Sequence, residues 1–280
     1  PVLLGGAFAF RYYSGPVPWY LFPLVFFCGL FLHAGANLVS EYDDFKYNVD
    51  REETFGGSRV LVESLMKPKT VYLFALMFFV LAFLVGIPAI QERGLPLFYF
   101  GLVGISSSLL YTSKPLGLKY IALGDLLIFI SFGPNMALGT SFALTGVINT
   151  NLIIASIPVG FLVTAILHAN NTRDIMHDKE AHIHTFAGII GVKGSQFYHY
   201  GLILGAYLSV IIFVATGLLA YPTLIVLLTL PIAIGNMKQM AKAKLEEPKN
   251  IFMLDVQTAQ LHMLFGLTYT LGIFVSKWLS

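Results

Sequence analysis

Apolar residues in this chain neither alternate nor keep to one helical stripe; they fill continuous runs near positions 17–39, 71–91, 95–111, 120–146, 150–170, 199–219, 221–237 and 258–279. A bilayer crossing takes about 20 predominantly apolar residues in a helix, so each run predicts a transmembrane span. A shorter run from Val2 to Phe10, reaching to about Tyr13, predicts one more helix that is too short to cross by itself. Since the sequence opens on Pro1 rather than Met, the expectation is a first helix missing its natural beginning. The breaks are punctuated by Ser14-Gly15-Pro16, Glu92-Arg93-Gly94, Ser113-Lys114-Pro115 and three longer charged stretches. The expected fold is all-α, a single polytopic domain over residues 1–280 with nine transmembrane helices.

Composition sharpens this picture. With 56% hydrophobic and 11% charged residues, against about 25% charged in an ordinary soluble domain, a water-soluble globule is excluded. Mean hydropathy is +0.76. One cysteine, Cys28, cannot form a disulfide within the chain. The net charge of +2 makes no case for nucleic acid. Placement of charge is more telling: of 17 Lys and Arg, only Arg11, Arg93 and Lys277 fall on one side of the membrane when the spans alternate. The other fourteen mark the cytoplasmic face by the positive-inside rule, and nearly all carboxylates share that face, with Glu92 the clear exception. Any chemistry is therefore expected to open to the cytoplasm.

Two acidic clusters stand at span ends: NLVSEYDDFKYNVD from Asn37 to Asp50, and NNTRDIMHDKEAH from Asn170 to His182. Asp174 and Asp178 are four apart, which on a continuing helix places both carboxylates on one face about 6 Å apart. Like charges that close repel unless a cation lies between them, and hard Mg²⁺ suits oxygen ligands. Glu41 and Asp44 sit three apart, with Asp50 following where the helix has unwound. Facing each other, the clusters could hold Mg²⁺ ions around a diphosphate; solvated charges at a membrane boundary are the plainer reading of any one of them. Arg51, Arg59, Lys67, Lys114, Lys119 and Arg173 flank these clusters or the loop YTSKPLGLKY and offer partners for phosphate oxygens. Residues 42–69 and 171–198 are long for helix connections and are expected to be loops. The histidines lack zinc-site spacing, and a G-x-x-x-x-G-K-[ST] loop for nucleotides is absent from the sequence.

The stretches NLVSEYDDFKYNVD, YTSKPLGLKYIALGDLLIFISFGP and HANNTRDIMHDKEAHIHTFAGIIG resemble the UbiA superfamily of intramembrane prenyltransferases. Within it they look most like the MenA-like branch that includes the bacterial dihydroxynaphthoate prenyltransferases and the vertebrate menaquinone-forming UbiA-domain enzymes. The likeness covers nearly the whole chain. It implies helices around a central cavity capped on the cytoplasmic side, and Mg²⁺ bound between two Asp-rich motifs. Carried onto this sequence, it implies Asp44, Asp50, Asp174 and Asp178 as metal ligands, with Asn37, Ser40, Glu41, Asn171 and Arg173 beside them. Ser40 stands where the family commonly has Asn, and His182-Ile183-His184 precedes Thr185 where many members carry Gly-Lys.

The reaction so implied is loss of Mg²⁺-bound diphosphate from an allylic prenyl diphosphate and attack of an aromatic acceptor on the carbocation, with Asp44 and Asp174 catalytic. Aromatic faces shield a cation at about 0.5–2 kcal/mol each, making Tyr111, Tyr120 and Tyr42 candidates. Asp125 is a candidate base for the acceptor, or else a satisfied polar group in the bundle. The expected partners are a prenyl diphosphate, an aromatic acceptor and membrane lipid. A dihydroxynaphthoate acceptor is favoured; 4-hydroxybenzoate, haem and geranylgeranylglyceryl phosphate remain alternatives within the family. A divalent-cation transporter is the alternative of another class, although the acids gather on one side rather than along the membrane depth.

Overall fold

The computed structural model describes residues 1–55 and 57–279. Among the described residues the chain is helical, without a β-strand, and eight helical segments are long and apolar enough to cross a membrane. The ninth expected helix is present as α1 (Val2–Tyr12), which at 11 residues is a short helix packed on the bundle. It is followed by α2 (Leu21–Lys46), α3 (Pro68–Arg93) and α4 (Leu95–Thr112). The fifth span is composite: α5 (Gly124–Ile130), a wide turn over Ser131–Asn135 containing Pro134, and α6 (Met136–Thr145). Proline lacks the N–H that a regular helix needs, and the chain accommodates it by locally widening the coil. The sixth span joins α7 (Thr150–Ala155) to α8 (Ile157–Arg173), and a short α9 (Ile175–Glu180) follows. Next come α10 (Phe186–Ala215), a tight 3₁₀ segment Tyr221–Thr229 leading into α11 (Leu230–Met240), and finally α12 (Leu254–Leu279).

The exterior shows why the apolar runs carry no amphipathic stripe. On α3, Leu73, Val80, Phe83 and Leu84 are exposed, whereas Ala75, Ala82 and Ala89, spaced by seven, are buried. Lipid tolerates bulky apolar side chains, and small residues let helices approach closely, so bulk faces outward and alanine inward. The principal neighbour of α3 is α2. On the other side of the bundle α8, α10 and α12 build a core around Leu162, Ile203, Tyr207, Leu261, Phe265 and Tyr269. The Tyr269 hydroxyl donates to the Ala155 carbonyl at 2.9 Å and Tyr207 bonds Thr229 at 2.6 Å, so both buried phenols find partners.

One expectation is corrected. Residues 171–198 are not a long loop: α8 runs to Arg173, α9 follows at once, and α10 begins at Phe186, well before the expected 199. The Thr185 hydroxyl caps α10 by accepting from the Gly188 amide. Polar residues in the first turns of α10, among them Lys193, Ser195 and Gln196, lowered the apolar pattern without breaking the helix. Gly191, at φ +67°, interrupts it in a conformation that glycine adopts without steric cost.

Candidate active site

The polar ends of α2, α4 and α8 meet at one end of the bundle, and the local backbone explains how two short acidic motifs come to face one space. Helix α2 stops at Lys46, and Asn48 takes φ +56°, a left-handed conformation that asparagine tolerates. The amides of Val49 and Asp50 then bond back to the Asp44 carbonyl, which returns Asp50 beside Asp44. In the second motif α8 ends at Arg173, yet the Asp178 amide still bonds the Asp174 carbonyl at 2.9 Å. The four-residue spacing thus survives the junction between α8 and α9.

Asp44, Asp50, Asp174, Asp178, Asn171 and Lys119 line one small cavity of about 40 Å³. Asp44 is only 5% exposed. It accepts from the Lys119 ammonium at 2.8 Å, the Tyr120 hydroxyl at 2.8 Å and the Ser40 hydroxyl at 3.2 Å. Asp43, also buried, accepts from Thr112 and Ser113 and so ties α2 to the end of α4. Asp174 receives two bonds from the Arg173 guanidinium, at 2.9 and 2.8 Å; Arg173 also reaches Asp255 of α12 at 3.0 Å and the Asn170 side chain. Thr185 donates to Asp178 at 3.2 Å. Across the gap, the His184 amide bonds the Tyr120 carbonyl, joining the loop before α10 to the loop before α5.

Too many negative charges share this space for the few cations present. Burial, followed by the charge of Asp44, pushes the Asp50 carboxyl up to about 6, with Lys119 pulling it partly back. Burial, opposed by Lys119 and reinforced by Asp174, pushes Asp178 up to about 7. For Lys119 burial acts downward, but Asp44 together with Tyr111, Tyr120 and Asp178 outweighs it, and the ammonium is held well above its ordinary range. Burial and Asp44 likewise raise Tyr120, which stays a hydrogen-bond donor. Oxygen-rich, buried and anionic beyond its own cations, this donor set fits a hard divalent cation. Among the described residues no three His, Cys, Asp or Glu side chains form a ready-made cage.

Beneath the polar cavity lies a much larger chamber of about 660 Å³. Asn37, Ser40 and Tyr111 line its polar end, and Val25, Gly29, Gly86 and Leu97 its far end. Asn170 lines both spaces and stands at the neck between them.

Other expected residues fall elsewhere. Glu41 accepts from the amide and hydroxyl of Ser58, folding the loop after α2 over the site. Gly57 closes that loop at φ +69°, where a Cβ would come within 2.6 Å of an Asp50 carboxylate oxygen. Arg51 is paired with Glu180 of α9 at 2.7 Å, bridging loop and α9. Arg59 bonds Glu63 and the Thr54 carbonyl, and Lys114 lies 4.2 Å from the Tyr47 ring centre; neither lines the small cavity. Asp125 lines neither space and bonds the buried His168 Nδ1 at 2.8 Å. Sequence reasoning missed Asn170 as a site residue, along with Asp255 and Asp43. Asn170 opens the second motif and could have been found from it; the pairing of Asp255 with Arg173, 82 positions apart, carries no local trace.

The fold, a bundle of apolar spans in which a charged pocket opens into an apolar chamber, defines an integral membrane protein. The UbiA prenyltransferase family profile matches residues 1–266, and the chain belongs to that family of prenyl-transferring enzymes. It is 34% identical over 276 residues to 1,4-dihydroxy-2-naphthoate octaprenyltransferase of Bacillus subtilis (strain 168), spanning 99% of this chain and 88% of that protein. It is also 34% identical to UbiA prenyltransferase domain-containing protein 1 of Homo sapiens, over 99% of this chain and 79% of the relative. A solved structure of a digeranylgeranylglyceryl phosphate synthase in membranes shares the fold, with a TM-score of 0.64 at 14% identity over 98% of this chain and 92% of that one.

Proposed function

We propose that this protein is a Mg²⁺-dependent aromatic prenyltransferase that moves a prenyl group from an allylic prenyl diphosphate to 1,4-dihydroxy-2-naphthoate, a step toward menaquinone. The single observation carrying this reading is the neck at Asn170, where an acidic pocket meets an apolar chamber. A prenyl diphosphate has the same division: a charged head joined at one carbon to an apolar tail. The acceptor is supported by the Bacillus subtilis relative, which is named for dihydroxynaphthoate.

Asp44, Asp50, Asp174 and Asp178, with Asn171, would hold Mg²⁺, which when bound supplies Lewis-acid stabilisation of the leaving diphosphate. The chain's own groups prepare the rest. Lys119 and Tyr120 fix Asp44, and Arg173 fixes Asp174, so the carboxylates are held in place before substrate arrives. Lys119 also brings a permanent positive charge to the diphosphate pocket. The bond between the diphosphate oxygen and the first prenyl carbon breaks at the neck. Tyr111, at the polar end of the chamber, presents a π face to the resulting allylic cation. The apolar walls keep water from quenching that cation. The new carbon–carbon bond forms at the ring carbon bearing the carboxylate, which leaves as carbon dioxide while its bonding pair restores the aromatic ring. Asp125, tied to His168, acts as a positioning group for α5 and α8. The active site opens on the cytoplasmic face, which carries most of the basic residues.

Purified protein incubated with Mg²⁺, geranyl diphosphate and separate dihydroxynaphthoate, 4-hydroxybenzoate and glyceryl phosphate lipid acceptors tests this reading. Diphosphate and carbon dioxide release with the naphthoate is expected. Transfer to another acceptor alone would overturn the acceptor, and no diphosphate release with any of them would overturn the function.

A further inference from the structure

We infer that Gly104 and Gly101 of α4 set the tail length this enzyme accepts, by leaving open the chamber about two and three isoprene units from the reacting carbon. The inference rests on the reading that the chamber houses the prenyl tail.

Both glycines line the large chamber. A Cβ placed on Gly101 meets no heavy atom within 4 Å, and one on Gly104 meets only the flexible tip of Leu32, at an ordinary 3.5 Å. Close packing between helices therefore does not account for glycine at these positions; the space before them is empty chamber. They lie on α4 between its outer end at Leu95 and Tyr111 at the polar end. Gly104 is seven residues from Tyr111 and Gly101 ten, hence about 10 Å and about 15 Å along the axis at a rise of 1.5 Å per residue.

Tail length can be put on the same scale. An extended backbone advances about 3.5 Å over three bonds, so the four chain bonds of an isoprene unit advance about 4.7 Å. Two units reach about 9 Å and stop short of Gly104; three reach about 14 Å and stop short of Gly101; four reach about 19 Å and pass both. The opposite wall gives the outer limit. From Ser40 to Val25 on α2 the chamber runs fifteen residues, or about 22 Å, room for a four-unit tail within the protein.

The test compares wild type with Gly104→Leu and Gly101→Leu in nanodiscs, using geranyl, farnesyl and geranylgeranyl diphosphates and one acceptor. Gly201→Leu serves as a control, because Gly201 is exposed on the bundle exterior with no atom within 4 Å of its Cβ. Gly101→Leu should keep geranyl and farnesyl turnover and lower kcat/KM for geranylgeranyl diphosphate by about tenfold or more, the discrimination an apolar pocket gives for excess bulk. Gly104→Leu should keep geranyl turnover and lower both longer donors; Gly201→Leu should leave the length profile unchanged. If the leucine variants lose geranyl turnover as well, Gly101→Ala and Gly104→Ala decide, and the same order of donors is expected at smaller factors. Equal losses for all donors, or no loss, with wild type active, overturn the length assignment and leave prenyl transfer standing. A wild type inactive with all three donors overturns both.

Discussion

The sharpest consequence of crowded carboxylates is that removing one should stabilise the cation-free protein while destroying its activity. Asp178→Asn is the cleanest such change, since asparagine keeps the shape and an oxygen for the Thr185 hydroxyl. A carboxyl raised from 3.8 to about 7 in the folded state binds protons more tightly there than in the unfolded chain. Its ionisation therefore weakens the fold as pH rises, with no effect below about pH 4, a growing one between the two values, and the full effect above 7. At 1.36 kcal/mol per pH unit, Asp178 alone would cost on the order of 4 kcal/mol above pH 8 and less than half of that at pH 5. Thermal unfolding of the detergent-solubilised protein in EDTA should accordingly show Asp178→Asn melting several degrees above wild type at pH 8.5, by a smaller margin at pH 5, and close to it at pH 4. Added Mg²⁺ should raise the wild-type Tm at pH 8.5 more than that of the variant. Equal melting at pH 8.5, or no selective gain from Mg²⁺, would refute the claim that unbalanced negative charge shapes this pocket.

Asp44→Ala and Asp174→Ala should each abolish product formation in a radiolabelled prenyl-transfer assay; wild-type rates in either would show that its motif is not catalytic. Lys119→Met leaves buried Asp44 without its cation, and breaking a buried pair commonly costs about 3–5 kcal/mol, so a large loss of stability is expected by thermal unfolding, whereas an unchanged Tm would contradict the pairing. Asp125→Asn weakens the tie to His168 without entering either cavity, and steady-state kinetics should show a moderate fall in kcat with the pH profile retained; loss of a titrating limb would instead make Asp125 the base.

Much of the architecture was legible because membrane spans declare themselves through length and hydropathy, and the eight crossing segments follow the apolar runs closely. Helix ends were less so. The first residues of the expected loop 42–69, Tyr42 to Lys46, are helical, since a polar turn at a membrane boundary can continue a helix that hydropathy no longer marks. For the same reason α10 starts earlier than its apolar run. The acidic motifs could be read from spacing, as could the basic loop holding Lys119; the environment of Asp125 could not, because its partner His168 lies 43 positions away on another helix.

The order of apolar and charged residues along the chain was enough to determine a helical membrane protein with two aspartate motifs gathered on one side, because burial in lipid and the cost of membrane charge act on each segment separately. Only the packed structure decided which carboxylate Lys119 neutralises, that Arg173 is shared between Asp174 and Asp255, and that Asn170 divides a charged pocket from an apolar chamber. Those outcomes depend on distances between segments far apart in sequence, and such distances are set when all the helices pack together.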